Sequence, residues 1–379
     1  MWLGLAVACA SGAERPRPQD LVGPSQHDQE DPDAGGIAPP PPGCDAVLCG
    51  DTFLHEVTNP PNLYFLVDRS GSMSAFPAHS SLTKYDMARR VLGDLLRVIG
   101  HRVRFGAAIF PARPDSCGPG QEVFAPTVGG LPPCTGEADP VLADFLDAFR
   151  FYAPDGTTPT SAALADLRPE LEALEGDTYL VVITDGAPNC NYDASCEASE
   201  CTLNIEGVTI GGHACTGSVN CCDPARFGDG ASGNCVDGDE SERQVALLAK
   251  HGIPTYVIGM PGAEPYASVL SRLARAGGTA RAGSTAYYAV NDRAELEDAL
   301  YSIGTGLAIK CSIDLDEEPP DPARVNVYFD GELVPADPDD GWSYAGTTRI
   351  VVNGQACDEL KSGSVIDARA LFGCDTVVR

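Results

Sequence analysis

Four stretches of this chain are too apolar to be half-exposed strands: "LYFLVD" (63–68), "VRFGAAIFP" (103–111), "TYLVVITDG" (178–186) and "IPTYVIGM" (253–260). A strand with one wet face alternates apolar and polar residues, whereas a strand covered on both faces runs apolar throughout. The segments between them carry helical spacing. In "KYDMARRVLGDLLRVIG", Met87, Val91, Leu95, Leu96 and Ile99 share one face. "DPVLADFLDAF", "PTSAALADLRPELEAL", "SERQVALLAKHG", "YASVLSRLARAGG" and "DRAELEDALYSIGTGLAI" read as further helices, the last capped by Asp292. "EVFAPTV" and "AYYAV" read as short strands. This alternation predicts an α/β fold, a doubly wound, mostly parallel sheet flanked by helices. Such sheets bind ligands at the carboxyl ends of their strands, where the strand order reverses.

Those carboxyl ends are rich in oxygen. The first strand runs into Asp68-Arg69-Ser70-Gly71-Ser72, with Asp68, Ser70 and Ser72 two residues apart. Gly71 is expected to let the backbone fold tightly between the two serines, and Arg69 reads as a charge either on the surface or just behind the ligands, in place of a catalytic arginine. "PDGTTPTSAAL" puts Thr157 and Thr158 just before a helix, and "ITDG" ends a later strand in Asp185. Carboxylates and hydroxyls are small, hard ligands that suit magnesium, manganese or calcium better than zinc.

D-x-S-x-S after a first strand, a G-T-T-P-T turn before a helix, and a later strand ending in T-D-G resemble, in that order, the von Willebrand factor type A (vWA) domain. The resemblance spans about Asn62 to Lys310. It implies a Rossmann-like sheet with a metal-ion-dependent adhesion site at Asp68, Ser70, Ser72, Thr158 and Asp185. "TPTSAAL" matches the family turn from Thr158, although Thr157 separates Gly156 from it, so Thr157 stays open as the alternative. By the same resemblance, Asp68 and Asp185 act through waters or from behind the ligands. The ion, magnesium first and manganese or calcium otherwise, keeps positive charge and an open position. An Asp or Glu of a protein ligand would complete its shell. The implied role is adhesion or protein binding without catalysis. Two other classes stay open: a metal-dependent hydrolase using Asp68 or Asp185, and an envelope protein whose ion only stabilises the fold. No G-x-S-x-G, G-x-x-x-x-G-K-[ST] or H-E-x-x-H signature occurs.

A net charge of −29 argues against nucleic acid as a partner, because phosphate binding needs a basic surface. Residues 1–13 resemble the end of a bacterial lipoprotein signal, with Cys9 in "LAVACA" as the lipidated residue. Membrane contact is expected only through that anchor, which makes the chain an exported cell-envelope or secreted protein. Residues 14–58 read as a disordered Pro-rich linker, 59–310 as the vWA-like domain, and 186–240 as a Cys-rich insertion within it. Residues 311–379 read as a small all-β module with Asp-Gly and Asn-Gly turns. "DGDESE" (237–242) fails as an EF-hand loop and reads as a helix entry.

There are 15 cysteines; setting Cys9 aside leaves an even number, and C-x-x-C pairs are missing, so disulfides are expected in place of zinc. The insertion and the tail each hold an odd number, and a bridge between them is the simplest full pairing.

Overall fold

A computed structural model of the chain describes Thr52–Phe53 and residues 60–378, apart from 115–116, 131–138, 316, 363–364 and 366–367. Cys9, the leader-like segment and the linker other than Thr52–Phe53 lie outside the described residues. In chain order the elements begin with β1 (Thr52–Phe53), β2 (Asn62–Asp68), α1 (Lys84–Ile99), β3 (Arg104–Phe110), β4 (Gln121–Val128), α2 (Pro140–Ala148), α3 (Thr160–Glu172) and β5 (Thr178–Thr184). The insertion adds α4 (Thr202–Ile205), β6 (Thr209–Ile210), β7 (His213–Ala214) and α5 (Pro224–Phe227). Then come α6 (Gly238–Lys250), β8 (Thr255–Gly259), α7 (Ala267–Ala276), β9 (Tyr288–Ala289) and α8 (Arg293–Ala308). The tail holds β10 (Ser312–Asp314), β11 (Val325–Phe329), β12 (Glu332–Val334), β13 (Trp342–Tyr344), β14 (Arg349–Val352), α9 (Gly354–Lys361) and β15 (Ala368–Phe372).

The main sheet has six strands in the order β4-β3-β2-β5-β8-β9. All neighbours are parallel except β3 and β4. This is the doubly wound arrangement: the chain builds outward from β2 through β3 to β4, then crosses back to start the other half at β5. The strand order therefore reverses between β2 and β5. Alternate residues of β2 serve opposite faces. Leu63, Phe65 and Val67 join one core with α1, α2 and α8. Tyr64 and Leu66 join the other with α3, α6 and α7. Every residue of β2 is buried, as its unbroken apolar run requires.

Phe145 is the hub of the first core. It is fully buried, with ring centroids 5.2 Å from Phe105, 5.3 Å from Phe124 and 5.2 Å from Phe149, all near edge-to-face.

The tail forms two antiparallel sheets, β10-β14-β13 and β1-β15-β11-β12, over its own core around Trp342, Phe329 and Val327. Two features depart from expectation. The tail carries the helix α9 between β14 and β15, so its antiparallel sheets are not all of it. Thr52–Phe53, assigned to the linker, pairs antiparallel with Leu371 and Phe372 of β15. A two-residue strand carries too little pattern to be read against a polar background, and it is set by the edge it pairs with.

The disulfides also correct the expected pairing. Three bridges stay within the insertion: Cys196–Cys235, Cys201–Cys222 and Cys215–Cys221. The seventh cysteine, Cys190, pairs with Cys117 in the β3–β4 connection, and Cys311 pairs with Cys357 inside the tail. No insertion cysteine is left for the tail. The reason is spatial: β3 and β5 flank β2 in parallel, so the loops that follow them leave the same edge of the sheet and bring Cys117 and Cys190 together. The insertion then packs around its own half-cystines in place of a large apolar core.

Two outcomes follow for the framework. Phe145→Ala should lower the unfolding free energy by about 3–5 kcal/mol in urea titrations, as large buried aromatic truncations do. Peptide mapping without reduction should recover a Cys117–Cys190 cross-link and no link from residues 186–240 to Cys311, Cys357 or Cys374.

Candidate metal centre

The reversal between β2 and β5 brings Asp68 and Asp185 together, because each sits at or just beyond the end of one of these two strands. Asp68 is fully buried. Its Oδ1 accepts from the Ser70 amide at 2.7 Å and its Oδ2 from the Thr184 hydroxyl at 2.5 Å. Asp185 Oδ1 accepts from Ser72 Oγ at 2.7 Å, and Ser72 Oγ lies 3.1 Å from Ser70 Oγ. The single Ser72 proton is thereby committed to Asp185, so Ser70 is the donor between the two serines. Ser70 thus donates to Ser72 and Ser72 to Asp185, which leaves an oxygen lone pair on each serine for a cation.

Burial, and then the neighbouring Asp185 charge, push the Asp68 carboxyl well above the usual carboxylate range; its hydrogen bonds from Thr184 and Ser70 act the other way. Two carboxylates withdrawn from water side by side are what a divalent cation compensates. The donor set of hydroxyls and carboxylates suits a hard ion. These residues fit the group.

Thr158 belongs to the turn before α3 and is buried. Its peptide is clamped by Asn189: the Thr158 amide donates to Asn189 Oδ1 at 2.9 Å, and the Asn189 amide donates to the Thr158 carbonyl at 2.9 Å. Thr158 Oγ1 lies 3.9 Å from where a Cβ on Gly186 would stand, which places it against the residue following Asp185. The Thr157 hydroxyl is buried in the same turn without a hydrogen-bond partner among the described residues. Ser70, Ser72, Asp68 and Asp185 thus form one connected group, and Thr158 adjoins it at Gly186.

One local reading needs correction and another is settled. Gly71 opens a single 3-10 turn, Gly71–Ser74, and an added Cβ there would make only ordinary contact, 3.5 Å from the Gly156 carbonyl. The glycine that the site's backbone requires is Gly156, in the separate loop before α3, with φ +88°, where a Cβ would stand 2.5 Å from the Pro114 carbonyl oxygen. Of the two places open to Arg69, the structure takes the one behind the ligands: it is buried, with Nε donating to the Pro111 carbonyl at 2.7 Å, Nη1 to Ala153 at 2.7 Å and Nη2 to Ala112 at 3.0 Å. Its backbone adds bonds to Phe110 and Asp155, so Arg69 ties three loops of the site edge into one frame.

The most informative residue missed in the sequence is Lys84. Its Nζ is 2.6 Å from Asp185 Oδ2, and the pair is buried. Asp237 was likewise missed as a structural anchor: it accepts from Ser161 of α3, and from Asn191 at 3.0 Å, fastening the insertion to the turn that carries Thr158. "DGDESE" is indeed a helix entry, with Asp239 and Glu240 in the first turn of α6. Among the described residues no helix is long and apolar enough to cross a membrane.

Fold and site together define a doubly wound α/β domain with buried oxygen side chains gathered at its switch point. No family model matches the chain. An uncharacterized protein of Bacillus subtilis, YwmD, is 29% identical over 163 residues, 40% of this chain and 66% of that protein. Among solved structures, the pilus adhesin SpaC from Lactobacillus rhamnosus GG covers 81% of this chain at 13% identity and a TM-score of 0.45. A von Willebrand factor type A protein from Catenulispora acidiphila covers 85% at 10% identity and a TM-score of 0.39. Manganese-loaded TRAP of Plasmodium vivax covers 76% at 14% identity and a TM-score of 0.37. This chain spans 39% of SpaC, 60% of the Catenulispora protein and 83% of TRAP.

Asn189→Ala should free the Thr158 turn. Losing a buried acceptor costs about 1–3 kcal/mol, so exchange of the Thr158 amide measured by NMR should accelerate roughly tenfold or more.

Proposed function

We propose that this chain is an exported binding protein of the vWA type, which engages a protein ligand through a divalent cation and performs no catalysis. The observation that carries the reading is the linked set at the β2–β5 reversal, with Asp68 and Asp185 buried together, Ser72 donating to Asp185, and Ser70 Oγ beside Ser72 Oγ. Ser70, Ser72 and Thr158 would hold the ion directly, with Asp68 and Asp185 supporting them. Magnesium is the first assignment, manganese or calcium the others. When bound, the ion supplies a Lewis-acidic position for an Asp or Glu carboxylate of the partner.

The chain's own residues do the positioning. Arg69 holds the first and second loops together, and Asn189 with Asp237 holds the third. Because the insertion starts directly after Asp185 and fixes the Thr158 turn, it stands where it would contact a bound partner. The disulfides fit an oxidising compartment and so support export. Lipidation at Cys9 belongs to the same proposal and rests on the sequence alone.

Asp68→Ala and Ser70→Ala should each abolish magnesium and manganese binding measured by calorimetry. Affinity capture with the wild type should yield partners that EDTA releases and that Asp68→Ala fails to retain. Unchanged ion binding in both variants would remove the site assignment.

A further inference from the structure

Lys84 occupies a place that helix electrostatics disfavour. It is the first residue of α1, where unpaired amides and the helix dipole present positive charge. Thr83 caps this end: its Oγ1 accepts from the Asp86 amide at 3.1 Å and donates to Asp86 Oδ2 at 2.6 Å. The side chain is only 10% exposed, so the ammonium has been drawn inward, away from water. Space is kept for it on the far side. Gly262 has φ +108°, and a Cβ there would stand 2.9 Å from Lys84 Nζ. Its partner is Asp185 Oδ2 at 2.6 Å, while Asp185 Oδ1 takes the Ser72 proton. Both oxygens of the second carboxylate are therefore engaged within the chain, one of them by a full positive charge.

We infer that Lys84 is a cation built into the site: it competes with the divalent ion for the charge of Asp185, so the ion is held weakly and keeps the surplus charge that recruits one carboxylate. The count is direct. Asp68 and Asp185 bring two negative charges, which a divalent ion alone would cancel. With Lys84 paired to Asp185, the same ion leaves one positive charge over, and a single carboxylate from a partner neutralises it. Arg69 lies at the same edge but donates to three carbonyls, and so uses its hydrogen bonds on loop structure. Lys84 is a positioning and charge-setting residue, since it acts on the ion through Asp185. This inference rests on the metal-binding reading above and adds to it the sign and size of the site's charge.

Calorimetric titration with manganese alone tests it, on the wild type, Lys84→Met, Lys84→Gln and Lys84→Arg. Gln keeps a hydrogen-bond donor for Asp185 without the charge, and Arg keeps the charge. The expected result is manganese affinity at least tenfold tighter in Met and Gln, and within about threefold of wild type in Arg. Melting temperatures supply a second readout. In EDTA the Met and Gln variants should melt lower than the wild type, because a buried carboxylate has lost its counter-ion. Saturating manganese should raise their melting temperature by more than it raises that of the wild type. Equal or weaker manganese binding in folded Lys84→Gln overturns the role of Lys84 and leaves the metal site standing. Binding in Lys84→Met but not in the wild type supports it. No binding in any of the four overturns this inference together with the metal reading.

Discussion

Asp68 and Asp185 end or follow neighbouring strands, and two carboxylates removed from water beside each other cannot both stay charged without compensation. Much of the site's local structure is that compensation. The Ser70 amide and the Thr184 hydroxyl take up Asp68; the Ser72 hydroxyl and the Lys84 ammonium take up Asp185. The donors come from β2's own loop, from the last residue of β5 and from the start of α1. The carboxylate pair thus draws on the first loop, the end of β5 and the first residue of α1. A binding protein has reason to keep such a costly pair, since what it lacks in charge balance it can recover from an ion.

The loops around the pair are held as a frame. Arg69 reaches the β3 end and the loop before α3 through carbonyl acceptors, which demand direction without neutralising its charge. On the other side, Asn189 and Asp237 bind the insertion to the turn that carries Thr158. The Cys117–Cys190 bridge then ties the insertion to the β3–β4 connection. The insertion is therefore part of the site's scaffold.

Much of this was legible in the linear chain, and for physical reasons. Strands buried on both faces must be apolar throughout, so β2, β3, β5 and β8 declared themselves. Helix periodicity and the Asp292 cap did the same for α8, where Asp292 accepts from the Glu295 amide. Carboxylates and hydroxyls at the ends of such strands are conspicuous because nothing in a strand's packing calls for them there. Asp68, Ser70, Ser72 and Asp185 were legible on that ground. Thr158 needed more, because two adjacent threonines offer the same hydroxyl.

The sequence by itself determined the fold class, the strands that carry the candidate site and the oxygen-rich character of its side chains, since each can be read from short stretches of the chain. Only the tertiary structure decided which charges face one another. Lys84 and Asp185 are far apart in the chain, as are Cys117 and Cys190, and no local pattern marks either pair. The same holds for Arg69, whose burial depends on carbonyls supplied by two other loops, and for Gly156, whose constraint is a Pro114 carbonyl close by in space. Pairings of this kind are set by where the doubly wound sheet returns the chain, and that return is a property of the whole fold.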